Sequence, residues 1–315
     1  MSLSIFYHSD FLNHDTGVGH PERPDRLITC VSALKSCNFA NQLIWKTPRP
    51  ATEEELRWIH TSEHIERIKK ICLSGGGYLD VDTPVSPKSF EIALKSAGSW
   101  LNGVYEVMNE NSAFILSRPP GHHAERNRAM GFCLFSNAAL AATGALKHKG
   151  VNKICIFDWD VHHGNGTQNI VQNNPDIYYV STHQFPFYPG TGSSMEIGKH
   201  NNVLNIPLPA ELGSIGYRKI FDKTVIPFIQ KATPDILIIS AGFDSHRRDP
   251  LASINLETDD FAYMIRILRE IQPNLLIGLE GGYDLQALAE CCEAVAGALI
   301  NDARRGVKKR GQLNR

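Results

Sequence analysis
The sequence contains no run of about 18 apolar residues, the length a helix needs to cross a bilayer, which excludes a membrane-spanning helix as an organising feature. It also lacks any C-x-x-C pair. The seven cysteines (Cys30, Cys37, Cys72, Cys133, Cys155, Cys291, Cys292) are scattered and odd in number, which argues against a disulfide framework or a thiolate zinc knuckle and predicts a reducing compartment. The first residues, MSLSIFYHSDFLNHD, have no basic segment and meet Asp10 before an adequate apolar stretch, so a secretory signal is not expected and the expectation is cytoplasmic. Low-complexity linkers and internal repeats are missing as well, and one domain is expected over 1–303.

Net charge is nearly absent, at −1, but it is unevenly placed. Arg304, Arg305, Lys308, Lys309, Arg310 and Arg315 crowd the last twelve residues with no acid among them, leaving 26 basic against 33 acidic residues elsewhere. The segment 304–315 therefore reads as a basic, solvated C-terminal tail. No nucleic-acid motif accompanies it, so direct nucleic-acid binding is not expected, and neither is a membrane partner.

What is present is a globular composition, 42% hydrophobic and 21% charged, in 315 residues. The first third is mainly helical in pattern: 25–34, a capping-box helix opened by Thr52 and Glu55, 62–73, and a long helix to Met108 with Ser86-Pro87 as its N-cap and N1 pair. GGG at 75–77 interrupts this part, and 80–87 reads as a polar loop. Short apolar β-rich runs lie at 3–8, 113–117, 153–157, 177–182, 203–206, 235–240 and 274–279, and helical segments are expected near 137–147, 165–172, 214–231, 258–271 and 284–300. Alternation of this kind predicts an α/β protein with a parallel sheet covered on both faces.

The unusual polar residues fall at the ends of those strands. RPPGHHAERNRAMGF, DWDVHHGNG, HQFPFYPGTG, AGFDSHRRDP and EGGYD each follow one, and open α/β sheets bind ligands at that edge, so five distant loops are predicted to be neighbours. In extended backbone Asp158, Asp160 and His162, at i, i+2 and i+4, project to one side and can converge on a metal ion. Asp244 supplies a further acid at another strand end. One histidine with two carboxylates suits zinc or iron(II). His122 and His123, held in a rigid RPPG turn, can divide general acid and general base work beside a metal-bound water. Tyr283, beside paired glycines, can donate to an oxyanion, and Phe132, Phe187 and Tyr188 can line an apolar channel.

Taken together, RPPGHHAERNRAMGFC, FDWDVHHGNGTQ, YPGTG, SAGFDSHRRDPLA and EGGYD, in this order, resemble the zinc-dependent histone deacetylase superfamily, particularly its class II-like bacterial histone deacetylase-like amidohydrolases. The resemblance runs from HPERPDR to the final helix. It implies an arginase/deacetylase-like three-layer αβα fold with a central, mostly parallel sheet of about eight strands. By the same resemblance Asp160, His162 and Asp244 ligate one catalytic Zn2+. Asp158 hydrogen-bonds His122 and shares a structural K+, His123 is the general base, His122 is the acid or electrostatic partner, and Tyr283 stabilises the oxyanion. Gly131, Phe132 and Tyr188 would grip the acyl-lysine stem, and Asp82 would meet the substrate backbone.

Two positions qualify that picture. Asn165 stands where class I members carry an aspartate, so a neutral partner is expected to set the basicity of His123. Leu251 stands where polyamine-specific relatives can place a glutamate, which favours acyl-lysine in a protein or peptide over acetylpolyamine. The implied reaction is hydrolysis of N-acetyl-lysine to lysine and acetate. A small acyl-amide amidohydrolase, acetylpolyamines included, is the alternative within enzymes, and an idle acyl-lysine binding module is the alternative outside them.

Overall fold
A computed structural model describes residues 2–301; the basic tail expected at 304–315 lies outside the described residues. Eight parallel strands form the central sheet in the order β2-β1-β5-β10-β9-β6-β7-β8. Their spans are β1 Leu3–Phe6, β2 Leu43–Lys46, β5 Ala113–Ile115, β6 Ile154–Asp158, β7 Ile177–Gln184, β8 Val203–Leu208, β9 Ile236–Ala241 and β10 Leu275–Leu279. A separate antiparallel hairpin pairs β3 Gly77–Asp80 with β4 Thr83–Val85. The helices are α1 Asp25–Ser36, α2 Glu53–Leu56, α3 Ser62–Leu73, α4 Ser89–Met108, α5 Asn137–Ala145, α6 Asn165–Val171, α7 Ser214–Ile220, α8 Ile226–Ala232, α9 Thr258–Ile271 and α10 Leu285–Asn301. A π-helical turn over Phe221–Val225 joins α7 to α8.

The interior strands of the sheet are buried on both faces, and most of their side chains are apolar. Successive side chains point to opposite faces. Phe114, Cys155, Phe157, Leu237, Ile239 and Ile277 enter one core, shared with α1, α9 and α10. Ala113, Ile115, Ile154, Ile156, Ile238 and Leu276 enter the other, shared with α3, α4 and α5. The result is the expected three-layer arrangement, with the sheet wholly parallel. Among the described residues no helix is long and apolar enough to cross a membrane.

Several local expectations are met. Thr52 accepts from Glu55 N–H while Glu55 reaches back to Thr52 N–H, completing a capping box worth about 1 kcal/mol. Others are corrected. The long helix begins at Ser89, with Lys88 at its N-cap. The Ser89 hydroxyl turns back to accept from Ser86 N–H at 2.8 Å, which holds Ser86-Pro87 in a preceding turn. The supposed loop at 80–87 contains most of the β3–β4 hairpin, whose register shifts between Tyr78 and Asp80. The edge strand β2 went unpredicted because only Leu43 of its four residues is buried and the run carries no clear alternation.

Candidate active site at the carboxyl edge of the sheet
Five contiguous strands, β5, β10, β9, β6 and β7, deliver the five polar loops to one edge. Asp160, His162 and Asp244 come together there, with potential ligand atoms all within 4.8 Å of one another. Each carboxylate is aimed by a backbone donor: Gly281 N–H reaches Asp160 Oδ2 at 2.8 Å, and Val161 N–H reaches Asp244 Oδ1 at 2.9 Å. The remaining oxygens, Asp160 Oδ1 and Asp244 Oδ2, each lie 3.1 Å from His162 Nδ1.

Both acids are fully buried, and among the described residues their ion pairs are with histidines alone. Such a cluster needs positive charge. Burial, with the neighbouring Asp160, pushes Asp244 up to about 7. Burial also opposes ionisation of Asp160, but His122 and His162 hold it below the usual carboxylate range. His162 is driven the other way, to about 10, because the two carboxylates outweigh its burial. An imidazole nitrogen and two buried carboxylate oxygens, converging with no Lys or Arg among their ion pairs in the described residues, match the donor chemistry of a borderline divalent ion. Asp158 stays outside this trio: its Oδ1 accepts from Asp160 N–H at 3.2 Å and its Oδ2 faces His122 Nδ1 at 3.2 Å and accepts from the Tyr179 hydroxyl at 3.1 Å.

The adjacent histidines have opposite surroundings. Burial lowers the pKa of His122, but Asp160 and Asp158 overcome it and carry the group to about 10. His123 is held well below its ordinary value by burial and by the neighbouring His122 and His162. Its tautomer follows from the hydrogen bonds. Asn165 Nδ2 donates to Glu125 Oε1 at 2.8 Å, and a carboxylate only accepts, so Asn165 Oδ1 faces His123 Nδ1, also at 2.8 Å. His123 therefore carries its proton on Nδ1 and leaves Nε2 bare.

Aromatic rings surround these groups. Tyr188 stands edge-on to His123 at 5.2 Å, Phe187 stacks on His162 at 5.4 Å, and Phe132 stands edge-on to Tyr283 at 6.0 Å. Phe132 occupies left-handed backbone at φ 67°, and Gly131 before it at 55°. A Cβ on Gly131 would meet His123 Cδ2 at 2.4 Å, so only glycine lets the wall approach the imidazole. The β3–β4 turn braces this pair: Gly131 N–H donates to Asp82 Oδ1 at 3.2 Å and Phe132 N–H to Thr83 Oγ1 at 3.1 Å. Asp82 is thus brought to the wall with Oδ1 committed to it. Leu251 is half-buried and donates its N–H to Asp249 Oδ1 at 3.0 Å.

Burial keeps the Tyr283 phenol well above its ordinary pKa, hence protonated, although Arg26 opposes this. Its hydroxyl has no hydrogen bond among the described residues, while its backbone is firmly held. Asp249 Oδ2 accepts from Tyr283 N–H at 2.6 Å, and the Arg26 guanidinium lies 5.0 Å from the ring centroid. Arg26 also donates to the Gly282 carbonyl at 2.7 Å and to the Glu280 carbonyl. Glu280 in turn accepts from Gly121 N–H at 2.6 Å, His122 N–H at 3.2 Å and the Ser240 hydroxyl at 2.7 Å, tying three strand ends together. Arg26, Asp249 and Glu280 were not singled out in the sequence, although each lies inside a motif that was.

A three-layer fold with a fully parallel eight-stranded sheet, carrying this loop constellation at its carboxyl edge, defines a protein of the arginase/deacetylase fold. The chain belongs to the histone deacetylase family, whose domain model matches residues 20–299. It is 48% identical to an uncharacterized protein of Synechocystis over 91% of this chain and 96% of that one. It is 35% identical to the histone deacetylase-like amidohydrolase of Pseudomonas aeruginosa, over 88% of this chain and 76% of the relative. A probable deacetylase of Archaeoglobus fulgidus is also 35% identical, over 91% and 82%. The crystal structure of the HDA15 HD domain superposes with a TM-score of 0.90 at 35% identity, covering 95% of this chain and 88% of that one.

Proposed function
We propose that the protein hydrolyses the amide of N-acetyl-lysine in a protein or peptide, releasing acetate, with one zinc ion held by Asp160, His162 and Asp244. The observation that carries this reading is the pair of adjacent histidines, one with Nδ1 facing Asp158 and the other with Nδ1 facing Asn165, beside the converging Asp160, His162 and Asp244. When bound, zinc would supply a polarised carbonyl and a water acidified from 15.7 towards about 7. His123 Nε2, bare because Asn165 fixes the proton on Nδ1, is the group that takes a proton from the attacking water. His122, kept charged by Asp158, returns a proton to the departing lysine amine. A cation on Asp160 would weaken that acid's hold on His122 and leave Asp158 as its constant partner.

Tyr283 donates its free hydroxyl to the oxygen that gains charge. Phe132, Tyr188 and Gly131 form the wall along which the aliphatic stem of the lysine lies, and Asp82 Oδ2 is the carboxylate oxygen left for a substrate N–H. Leu251 withholds the anionic charge that would attract a polyamine. A structural potassium beside Asp158 belongs to the same proposal, and no step depends on it. The test is a side-by-side assay of acetyl-lysine, trifluoroacetyl-lysine and longer acyl-lysine peptides with acetylputrescine, with and without a zinc chelator. Chelator-sensitive release of acetate from acetyl-lysine is expected. Faster cleavage of acetylputrescine would move the assignment to small acyl-amides, and zinc binding without hydrolysis of any acyl amide would reduce the protein to a binding module.

A further inference from the structure
Behind the histidine pair lies a second, disjoint set of potential ligands. A ring nitrogen of His122, Cys133 Sγ and a carboxylate oxygen of Glu280 all lie within 4.8 Å of one another, and all three residues are buried. Glu280 is unusual on its own account. It is a fully buried carboxylate whose hydrogen-bond partners are two backbone N–H groups and the Ser240 hydroxyl, with no Lys or Arg among them. Cys133 is entirely enclosed, and no hydrogen bond from its thiol engages another side chain among the described residues. On His122, Asp158 engages Nδ1, while Nε2 stands 3.8 Å from Asp160 Oδ2, so this set adjoins the first trio without sharing a residue with it.

The geometry points to a second, inhibitory site for a thiophilic divalent cation such as zinc, held by His122, Cys133 and Glu280. Imidazole, thiolate and carboxylate are the three donor types that zinc takes, and the sulfur selects against magnesium and calcium. On binding, Cys133 gives its thiol proton and the charged His122 one ring proton to solvent, and the cation supplies the positive charge that Glu280 lacks. Glu280 keeps its backbone bonds, because its oxygens retain lone pairs beyond those three donors. Occupation removes a lone pair or proton of His122 from chemistry, so the second ion inhibits where the first activates. This inference rests on the zinc-hydrolase reading above, but its test reads metal binding directly.

Metal-free protein is titrated with Zn2+ and, separately, Co2+, following bound metal by mass spectrometry, the thiolate-to-cobalt absorption band, and hydrolysis of an acetyl-lysine peptide. Two equivalents are expected. Activity should rise with the first and fall by about 10²-fold with the second, the scale of losing one acid–base group. The cobalt band should appear only with the second. Cys133→Ser and Cys133→Ala should keep the first equivalent and the activity it confers, and lose the second equivalent, the band and the inhibition. Binding of one equivalent by the parent protein, or a band and inhibition that persist in both variants, overturns the second site. A first equivalent that binds yet confers no hydrolysis overturns the zinc-hydrolase reading instead, whatever the cobalt band shows.

Discussion
At the scale of single residues, the division of labour between His122 and His123 comes down to what each Nδ1 faces. His122 faces a carboxylate and His123 an amide oxygen held by Glu125. Asn165→Asp would put an anion beside His123 and favour its charged form. The base must be neutral to work, so the acidic limb of the kcat/KM profile is expected to move up by about one pH unit or more. A pH–rate profile checks this, and an unmoved limb would remove His123 from the role of base. Tyr283→Phe deletes only the unpartnered hydroxyl. Turnover of an acetyl-lysine peptide should fall by about 10²–10³-fold while bound zinc, measured by mass spectrometry, stays the same. Asp160 and His162 were legible in the sequence because alternation along an extended segment places them together. Asp249 and Glu280 were not, because their work is to accept N–H groups from loops remote in sequence, and no spacing encodes that.

At the scale of elements, the interior strands were legible because a strand buried on both faces is predominantly apolar, with polar residues near its carboxyl end. The edge strand β2 and the β3–β4 hairpin escaped because edge and bulged strands are exempt from that demand. The same burial leaves little tolerance in the packing of helix on sheet. Gly278 in β10 faces α4, and a Cβ there would meet the Trp100 indole at 2.0 Å. Trp100 is fully enclosed, so its ring has nowhere to retreat. Gly278→Ala is therefore expected to destabilise the protein by about 1–3 kcal/mol, measured as a lowered urea midpoint at unchanged m-value. A midpoint equal to the parent's would mean that α4 and the sheet can part at no cost.

At the scale of the whole molecule, folding encloses many histidines, and several are kept neutral. His60 shows why. Its Nε2 accepts from Ser136 N–H at 3.0 Å while its Nδ1 donates to the Glu125 carbonyl at 3.0 Å, so only the Nδ1-protonated neutral ring fits between the start of α3 and the loop before α5. Burial, reinforced by His64, lowers its pKa to about 3. Burial likewise takes His14 and His183 to about 4. An unfolded histidine titrates near about 6.5, so the unfolded chain gains these protons first as pH falls. The stabilisation is complete above about 6.5 and drains away towards the folded pKa, at about 1.4 kcal/mol per pH unit for each such group. Glu280 works in the opposite sense: burial raises it to about 7, so below that pH the native state binds a proton that the unfolded chain does not yet take. The total slope is a sum of both kinds, and a difference between variants isolates one group. His60→Gln retains a donor and an acceptor but has no proton to gain. Urea unfolding of parent and variant between pH 6 and pH 4 should give stability lines that converge, the variant's being shallower by about 1.4 kcal/mol per pH unit. Parallel lines would mean that His60 gains its proton equally in both states, which the two hydrogen bonds on its ring do not permit.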